Sequence, residues 1–345
     1  MKQIDELLAR FHRAQFVKSE TPLERLDRMS DRLGIDLWLK RDDLTGLGFG
    51  GNKIRQLEFY FGDALQKGAD TVLITGAVQS NFVRSAAAAA ARLGLKSVLQ
   101  LEARVPGMGA QYYSSGNVLL AQILGAEHIN YPEGEDEVGA DAALHARADE
   151  LRAEGHTPYV IHLGSDHPPL GALGYVVGGA ELCQQMDDFD AAVIPSGSGS
   201  THAGFLTGLR LSGQAAPVYG ICMRRDGVQQ RSRMQTVLQK LADLIGIDPA
   251  LTMSEVITCD NALAPGYGMM GQSTQDALAL MARIEGIFLD PVYTAKTFAG
   301  LLDLCKRGQI QPGQKVVLLH TGGLPALFGY QDELTFAFAV GELMS

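Results

Sequence analysis

Short apolar runs recur along this chain with helical stretches between them, and that alternation constrains its fold more than any other feature. TVLITG (71–76) precedes the helical SAAAAAARLG (85–94), and SVLQLEA (97–103) and EHINYP (127–132) follow, with a helix expected near 115–125. PYVIHLG (158–164) comes after the amphipathic HARADELRAEG (145–155). AAVIPSG (191–197), PVYGICM (217–223) and KVVLLHTGG (315–323) complete the set. Runs this short, separated by helices, predict strands of parallel sheets covered on both faces. Ligands of such sheets gather beyond the carboxyl ends of the strands. The glycines cluster there: Gly76, Gly197, Gly199, Gly322 and Gly323. A length of 345 residues suggests two domains.

Charge and composition exclude several classes. The chain carries 29 basic and 39 acidic residues, a net charge of -10, and no basic block, so no nucleic-acid partner is expected. No apolar run reaches the roughly 18 residues of a membrane span, and no membrane association is expected. MKQIDELLARFHRAQ at the N-terminus mixes both charge signs and lacks the apolar core of a signal peptide. The four cysteines form no CxxC pair, which fits a reducing cytoplasm.

Five motifs can carry chemistry. In GLGFGGNKIRQLEF (46–59) the glycines lack the strand context of a dinucleotide fingerprint. Lys53 opens the helical part of that motif. The helix dipole there favours a neutral amine, the form needed for Schiff-base chemistry. A solvated surface lysine is the alternative. IPSGSGSTHAGFLTGL (194–209) runs from a strand through Ser196, Gly197, Ser198, Gly199, Ser200 and Thr201 into a helix. Small residues, hydroxyls and a helix N-terminus make a phosphate cradle, or only a tight turn. His202, just inside that helix, reads as structural. In TGAVQSN (75–81), Gln79, Ser80 and Asn81 either cap the next helix or bind a carboxylate at its positive end.

Tyr267 in APGYG (264–268) and Tyr293 in LDPVYTAK (289–296) read as packing, or as acid–base groups if a neighbour lowers their pKa. Thr321 in LLHTGG (318–323) ends a buried strand, where its hydroxyl could face a ligand. No HExxH or GxSxG is present, and the Asp166–His167 pair in SDHPPLG is weak ground for a metal, so none is expected.

Taken together, these motifs resemble the D-cysteine desulfhydrase and 1-aminocyclopropane-1-carboxylate deaminase family of fold-type II pyridoxal-phosphate enzymes. The resemblance begins at TPLERLDRMSDRLGIDLWLKRDDLTGLGFGGNKIRQLEF and continues in order through TGAVQSN, SGSGSTHAG, APGYG, DPVYTAK and HTGG. It implies an α/β fold of two open, twisted, mostly parallel sheets flanked by helices, with pyridoxal 5'-phosphate in the cleft between domains. Residues 1–53 and 165–345 would form the large domain, and 54–164 the small one. Lys53 would hold the cofactor as a Schiff base and shuttle the Cα proton. Asn52 and the loop Ser196–Thr201 would hold its phosphate, and Thr321 would face the pyridine nitrogen. Ser80 and Asn81, with Gln79, would grip the substrate carboxylate or the cofactor's phenolic oxygen. Tyr293 and Tyr267 would face the substrate.

The family motif usually reads QSNH, and Phe82 stands here in place of the His. Ring-opening members resemble a pattern with Glu after the motif tyrosine and Leu in HLGG. Thr294 and Thr321 occupy those positions here and match the desulfhydrase side. A threonine hydroxyl at the ring nitrogen gives a weaker electron sink than a carboxylate, which suits a good leaving group at Cβ. The expected reaction is α,β-elimination of D-cysteine to pyruvate, ammonia and hydrogen sulfide by a cytoplasmic homodimer acting on a small amino acid. Cysteate elimination releasing sulfite and cyclopropane ring opening are the alternatives within the family. A cationic pocket for the sulfonate cannot be placed from sequence. A non-catalytic phosphate-ligand binding module is the alternative outside the family.

Overall fold

The computed structural model describes residues 2–162, 164 and 167–343. Asp166, and so the Asp166–His167 pair, lies outside the described residues. Among the described residues ten strands are formed: β1 (Leu23–Arg25), β2 (Asp36–Lys40), β3 (Thr71–Ala77), β4 (Lys96–Glu102), β5 (Glu127–Tyr131), β6 (Pro158–Ile161), β7 (Ala191–Ser196), β8 (Val218–Cys222), β9 (Ile257–Cys259) and β10 (Lys315–Leu319). They make one six-stranded sheet, β1-β2-β10-β7-β8-β9, and one four-stranded sheet, β5-β4-β3-β6. Every pairing is parallel except β1 with β2. All residues of β3 and of β7 are buried, as apolar runs covered by helices on both faces require.

Two elements differ from the sequence reading. DLWLK (36–40) was not singled out, yet β2 pairs in parallel with β10, and Leu37 and Leu39 are fully buried. Charged flanks on a run of five residues hide its periodicity. The helix expected near 115–125 runs over Asn117–Ile123, and an unexpected short helix, Ala110–Ser114, precedes it, set apart by Gly116, whose φ is 58°. A Cβ at Gly116 would lie 2.5 Å from the Pro325 carbonyl oxygen, so a side chain is excluded there.

The helix Asn52–Gln66 is held by a buried ion network. Arg55 donates to Asp42 (2.9 and 3.0 Å) and to both oxygens of Glu181 (2.8 Å each). Lys40, at the end of β2, donates to Glu181 (2.5 Å) and to the Thr21 carbonyl (2.8 Å). Tyr175 donates to Asp42 (2.5 Å). Glycine brings the partner helix, Leu170–Gln185, close: a Cβ at Gly174 would sit 2.1 Å from the Arg55 carbonyl oxygen. β2, the turn after it and both helices are thereby locked together two residues beyond Lys53.

Candidate active site

A cleft opens beyond the carboxyl ends of β3, β4, β7, β8 and β10, where the sequence placed its glycine clusters. Asn52, Lys53, Ser80, Asn81, Gly197, Ser198, Gly199, Thr201, Tyr267, Tyr293 and Thr321 all line it. Residues from distant parts of the sequence thus meet in one place.

Lys53 is the second residue of its helix and lies inside the cleft. Burial pulls its pKa down to about 8. The sequence reading expected a more readily neutralised amine from the helix dipole. The direction holds, and loss of water is the cause. The Lys53 Nζ sits 5.0 Å from the centroid of the Phe82 ring, so the residue that replaces the family histidine touches this lysine through an aromatic face.

The loop Gly197–Thr201 leads from β7 into the helix Ser200–Leu211, whose first backbone N–H groups lack intrahelical acceptors. Gly199 adopts φ 105°, a conformation that glycine tolerates. Asn52 Nδ2 (2.9 Å) and Gln56 Nε2 (2.7 Å) both donate to Thr201 Oγ1. That hydroxyl accepts twice, so its proton is left to give to an acceptor in the cleft. Free amide donors, a hydroxyl proton and a backbone with little side chain suit a phosphate. The residues present therefore fit pyridoxal 5'-phosphate, with Lys53 for the carbonyl carbon and the loop for the phosphate.

Three expected residues play other parts. Ser196 is fully buried and outside the cleft lining, bonded to His202 Nδ1 (3.1 Å) and Gln230 Nε2 (2.9 Å). Ser200 faces a neighbouring cavity beside Gln56 and Val237. Gln79 spends its amide on the Tyr112 (2.6 Å) and Ser115 (2.9 Å) carbonyls and accepts from Asn117 N (2.9 Å). It braces the 112–117 loop, and its side chain has no capacity left for a substrate carboxylate. Ser80 caps the helix Asn81–Leu93 through Val83 N, and Asn81 accepts from Asn117 (2.9 Å) while both line the cleft. The capping and binding alternatives are therefore compatible at Ser80.

Tyr267 and Tyr293 hydroxyls lie 2.8 Å apart. Burial holds the Tyr293 pKa well above the usual phenol range, and the neighbouring Tyr267 adds to the rise. The condition the sequence reading set for an acid–base role, a pKa lowered by a neighbour, is not met at Tyr293, whose phenol keeps its proton at neutral pH. Asp290 fixes Tyr293 at the start of the helix Thr294–Lys306, accepting from the Val292 (2.9 Å), Tyr293 (3.0 Å) and Thr294 (2.7 Å) amides. Thr294 Oγ1 donates to Asp290 (2.7 Å), and the side chain is buried outside the cleft lining. Of the two positions used to choose within the family, Thr321 alone reaches the cleft.

The sequence reading missed Arg104, Glu137, Arg224, Arg225 and Arg233, which also line the cleft. Arg104 follows β4, and Arg224 and Arg225 follow β8, at carboxyl ends of strands where functional groups collect. That position was the available signal.

Comparison with known proteins agrees with this geometry. Residues 15–322 match the family model described as pyridoxal-phosphate dependent enzyme. D-cysteine desulfhydrase of Klebsiella pneumoniae subsp. pneumoniae is 40% identical over 331 residues, covering 95% of this chain and 98% of the relative. 1-aminocyclopropane-1-carboxylate deaminase of Methylobacterium nodulans is 39% identical over 331 residues, covering 94% and 98%. The crystal structure of a homologue of that deaminase superposes with a TM-score of 0.87 at 38% identity, covering 98% of this chain and 99% of that one. Threonine deaminase isoform 2 of Solanum lycopersicum, 17% identical, shares the fold with a TM-score of 0.66 over 97% of this chain and 93% of that one. With a half-buried lysine and a loop of small residues lining one cleft, and kinship over nearly its whole length, the chain belongs to the pyridoxal-phosphate-dependent enzymes of the desulfhydrase and deaminase family.

Proposed function

We propose that the chain is a lyase that expels a sulfur substituent from Cβ of a small amino acid, leaving pyruvate and ammonia. D-Cysteine is the first substrate to test, because relatives at 39–40% identity carry that activity in their names. The observation that carries the reading is the meeting of Lys53, the Gly197–Thr201 loop and the Tyr267–Tyr293 pair in one cleft. The bound cofactor supplies an electron sink for the Cα carbanion. The protein supplies the rest. Lys53 would hold the cofactor, and its Nζ would take the Cα proton of bound substrate, because an amine with a pKa near 8 is a competent base at neutral pH. Ser80 and Asn81, at the start of the helix Asn81–Leu93, hold the substrate carboxylate against the positive end of the helix. Tyr293, with its proton retained and Tyr267 at 2.8 Å, donates toward the departing group. Thr321, which lines the cleft, would offer the pyridine nitrogen a neutral hydroxyl. The cleft lies between a large domain, 1–53 with 165–345, and a small one, 54–164.

A pyruvate-release screen over both enantiomers of cysteine, serine, β-chloroalanine and cysteate, with the cyclopropane amino acid, tests the class. Release from the cyclopropane substrate alone would replace elimination by ring opening. Tyr293→Phe should keep the bound chromophore and lose about 100-fold in turnover, the low end for an acid–base group. Turnover at the parent rate would reduce the tyrosine to packing. The enzyme is further read as a cytoplasmic homodimer. Leu44, Phe49, Phe288 and Leu324 stand exposed around one depression, an apolar patch that a second copy would cover. A sedimentation mass of one chain would remove that reading.

A further inference from the structure

Outside the cleft, Asp141, His162 and His167 bring one carboxylate oxygen and two imidazole nitrogens to within 4.8 Å of one another. The sequence reading weighed only the Asp166–His167 pair and expected no metal. Folding gives His167 different partners. Asp141 comes from the helix Glu137–Ala153, His162 directly follows β6, and His167 stands shortly before the helix Leu170–Gln185. The His162 and His167 rings lie face to face, with centroids 3.5 Å apart and planes within 10° of parallel. His145, one turn beyond Asp141 on the same helix face, stacks on His162 at 5.0 Å.

Two further observations point to a ligand. His162 Nδ1 is buried and has no hydrogen-bond partner among the described residues. An orphaned buried nitrogen is costly unless a water or an ion completes it. His162 and His167 also line a cavity of about 220 Å³, with room for the water that an open coordination position holds. Phe82 and Ser198 line both this cavity and the cleft, so the histidines stand behind one wall of the candidate active site.

Imidazole with a single carboxylate suits a borderline divalent ion, zinc before others, and not magnesium or calcium, which take oxygen ligands. Donor atoms around a tetrahedral ion with bonds of about 2.0–2.2 Å stand about 3.3 Å apart. Coordination therefore turns the two rings out of their stack about their side-chain torsions and draws the three donors together. We propose that Asp141, His162 and His167 form a zinc site whose fourth ligand is a water in the cavity. The bound ion fastens β6, at the edge of the four-stranded sheet, to the chain entering the helix Leu170–Gln185, which packs on the helix of Lys53. Its role is structural, and it stands whether or not the lyase reading does.

The test titrates chelator-treated holoenzyme with zinc by calorimetry. One ion per chain should bind in the micromolar range or tighter, and magnesium and calcium should not compete. Asp141→Asn, His162→Gln and His167→Gln should each weaken zinc at least about tenfold, since even a residue that only orients a ligand is worth that much. Zinc at about a hundredfold excess over its dissociation constant should raise the melting temperature of the parent by about 5 °C and leave that of His167→Gln unmoved. Cobalt in place of zinc needs no variant. Its difference spectrum should show nitrogen and oxygen ligation without the charge-transfer band of a thiolate. A thiolate band puts the ion on a cysteine and overturns the proposal. So does zinc binding that survives all three substitutions, and so does a parent enzyme that takes up no stoichiometric zinc.

Discussion

Lys53→Ala should abolish turnover, by about 10⁴-fold or more, and remove the covalently held chromophore. General acid–base catalysis alone contributes about 10²–10⁴-fold, and loss of the covalent attachment adds to that. Stability should not fall with activity. Burial is the cause that acts on the Lys53 pKa, so the ammonium is a cost to the native state, and its removal should hold or raise the melting temperature. Borohydride reduction of the parent followed by peptide mapping should place the pyridoxyl group on Lys53. An adduct on Lys296, a buried lysine outside the cleft lining whose pKa burial also lowers to about 8, would sink the assignment. Capture of cofactor by apoprotein carries a further signature. Its rate should rise about tenfold per pH unit below pH 8 and level off above it, because the neutral amine is the reactive form. A profile that climbs on towards pH 10 would mean an ordinary exposed lysine.

Arg55→Ala should cost about 3–5 kcal/mol in a urea titration, because it leaves Asp42 and Glu181 buried without their main cation. Burial pushes both carboxyls up, and the Arg55 guanidinium outweighs it and holds both below their usual values. Their contribution is complete above the ordinary carboxylate range and is lost as pH falls through the lowered values. The parent should therefore lose stability in acid more steeply than the variant does. The same change loosens the helix that carries Lys53, so cofactor should leave the variant faster. A cost below about 1 kcal/mol would mean that water has entered and solvated the pair.

The strands that alternate with helices, the glycine-marked strand ends and the lysine turn were legible because each is a local pattern. β3, β7 and β10 announce themselves as apolar runs, and the loop after β7 as a row of small residues. Gln79 was misplaced because its bonding depends on the 112–117 loop, more than thirty residues away in sequence. The direction in which the Tyr293 pKa moves was not legible, because burial is a property of the folded cleft. The arginine cluster was invisible for the same reason. Arg104 and Arg225 stand 121 residues apart, and nothing local marks them as neighbours of one carboxylate.

Glu137 begins the helix that packs on the four-stranded sheet, and Arg224, Arg225 and Arg233 come from the chain after β8 in the other sheet. The floor of the cleft is fastened differently, by the Asn52 amide to the Thr321 carbonyl (3.0 Å). The two sheets are thus clasped by charge, Glu137 accepting from Arg224 and Arg225 (2.8 Å each), while the turn that carries Lys53 is riveted by backbone to the end of β10. Salt weakens the partly exposed charge clasp more than it weakens a backbone hydrogen bond. Ionic strength should therefore widen the mouth while the seat of the cofactor stays in register, so that entry and anchorage answer to different solution conditions.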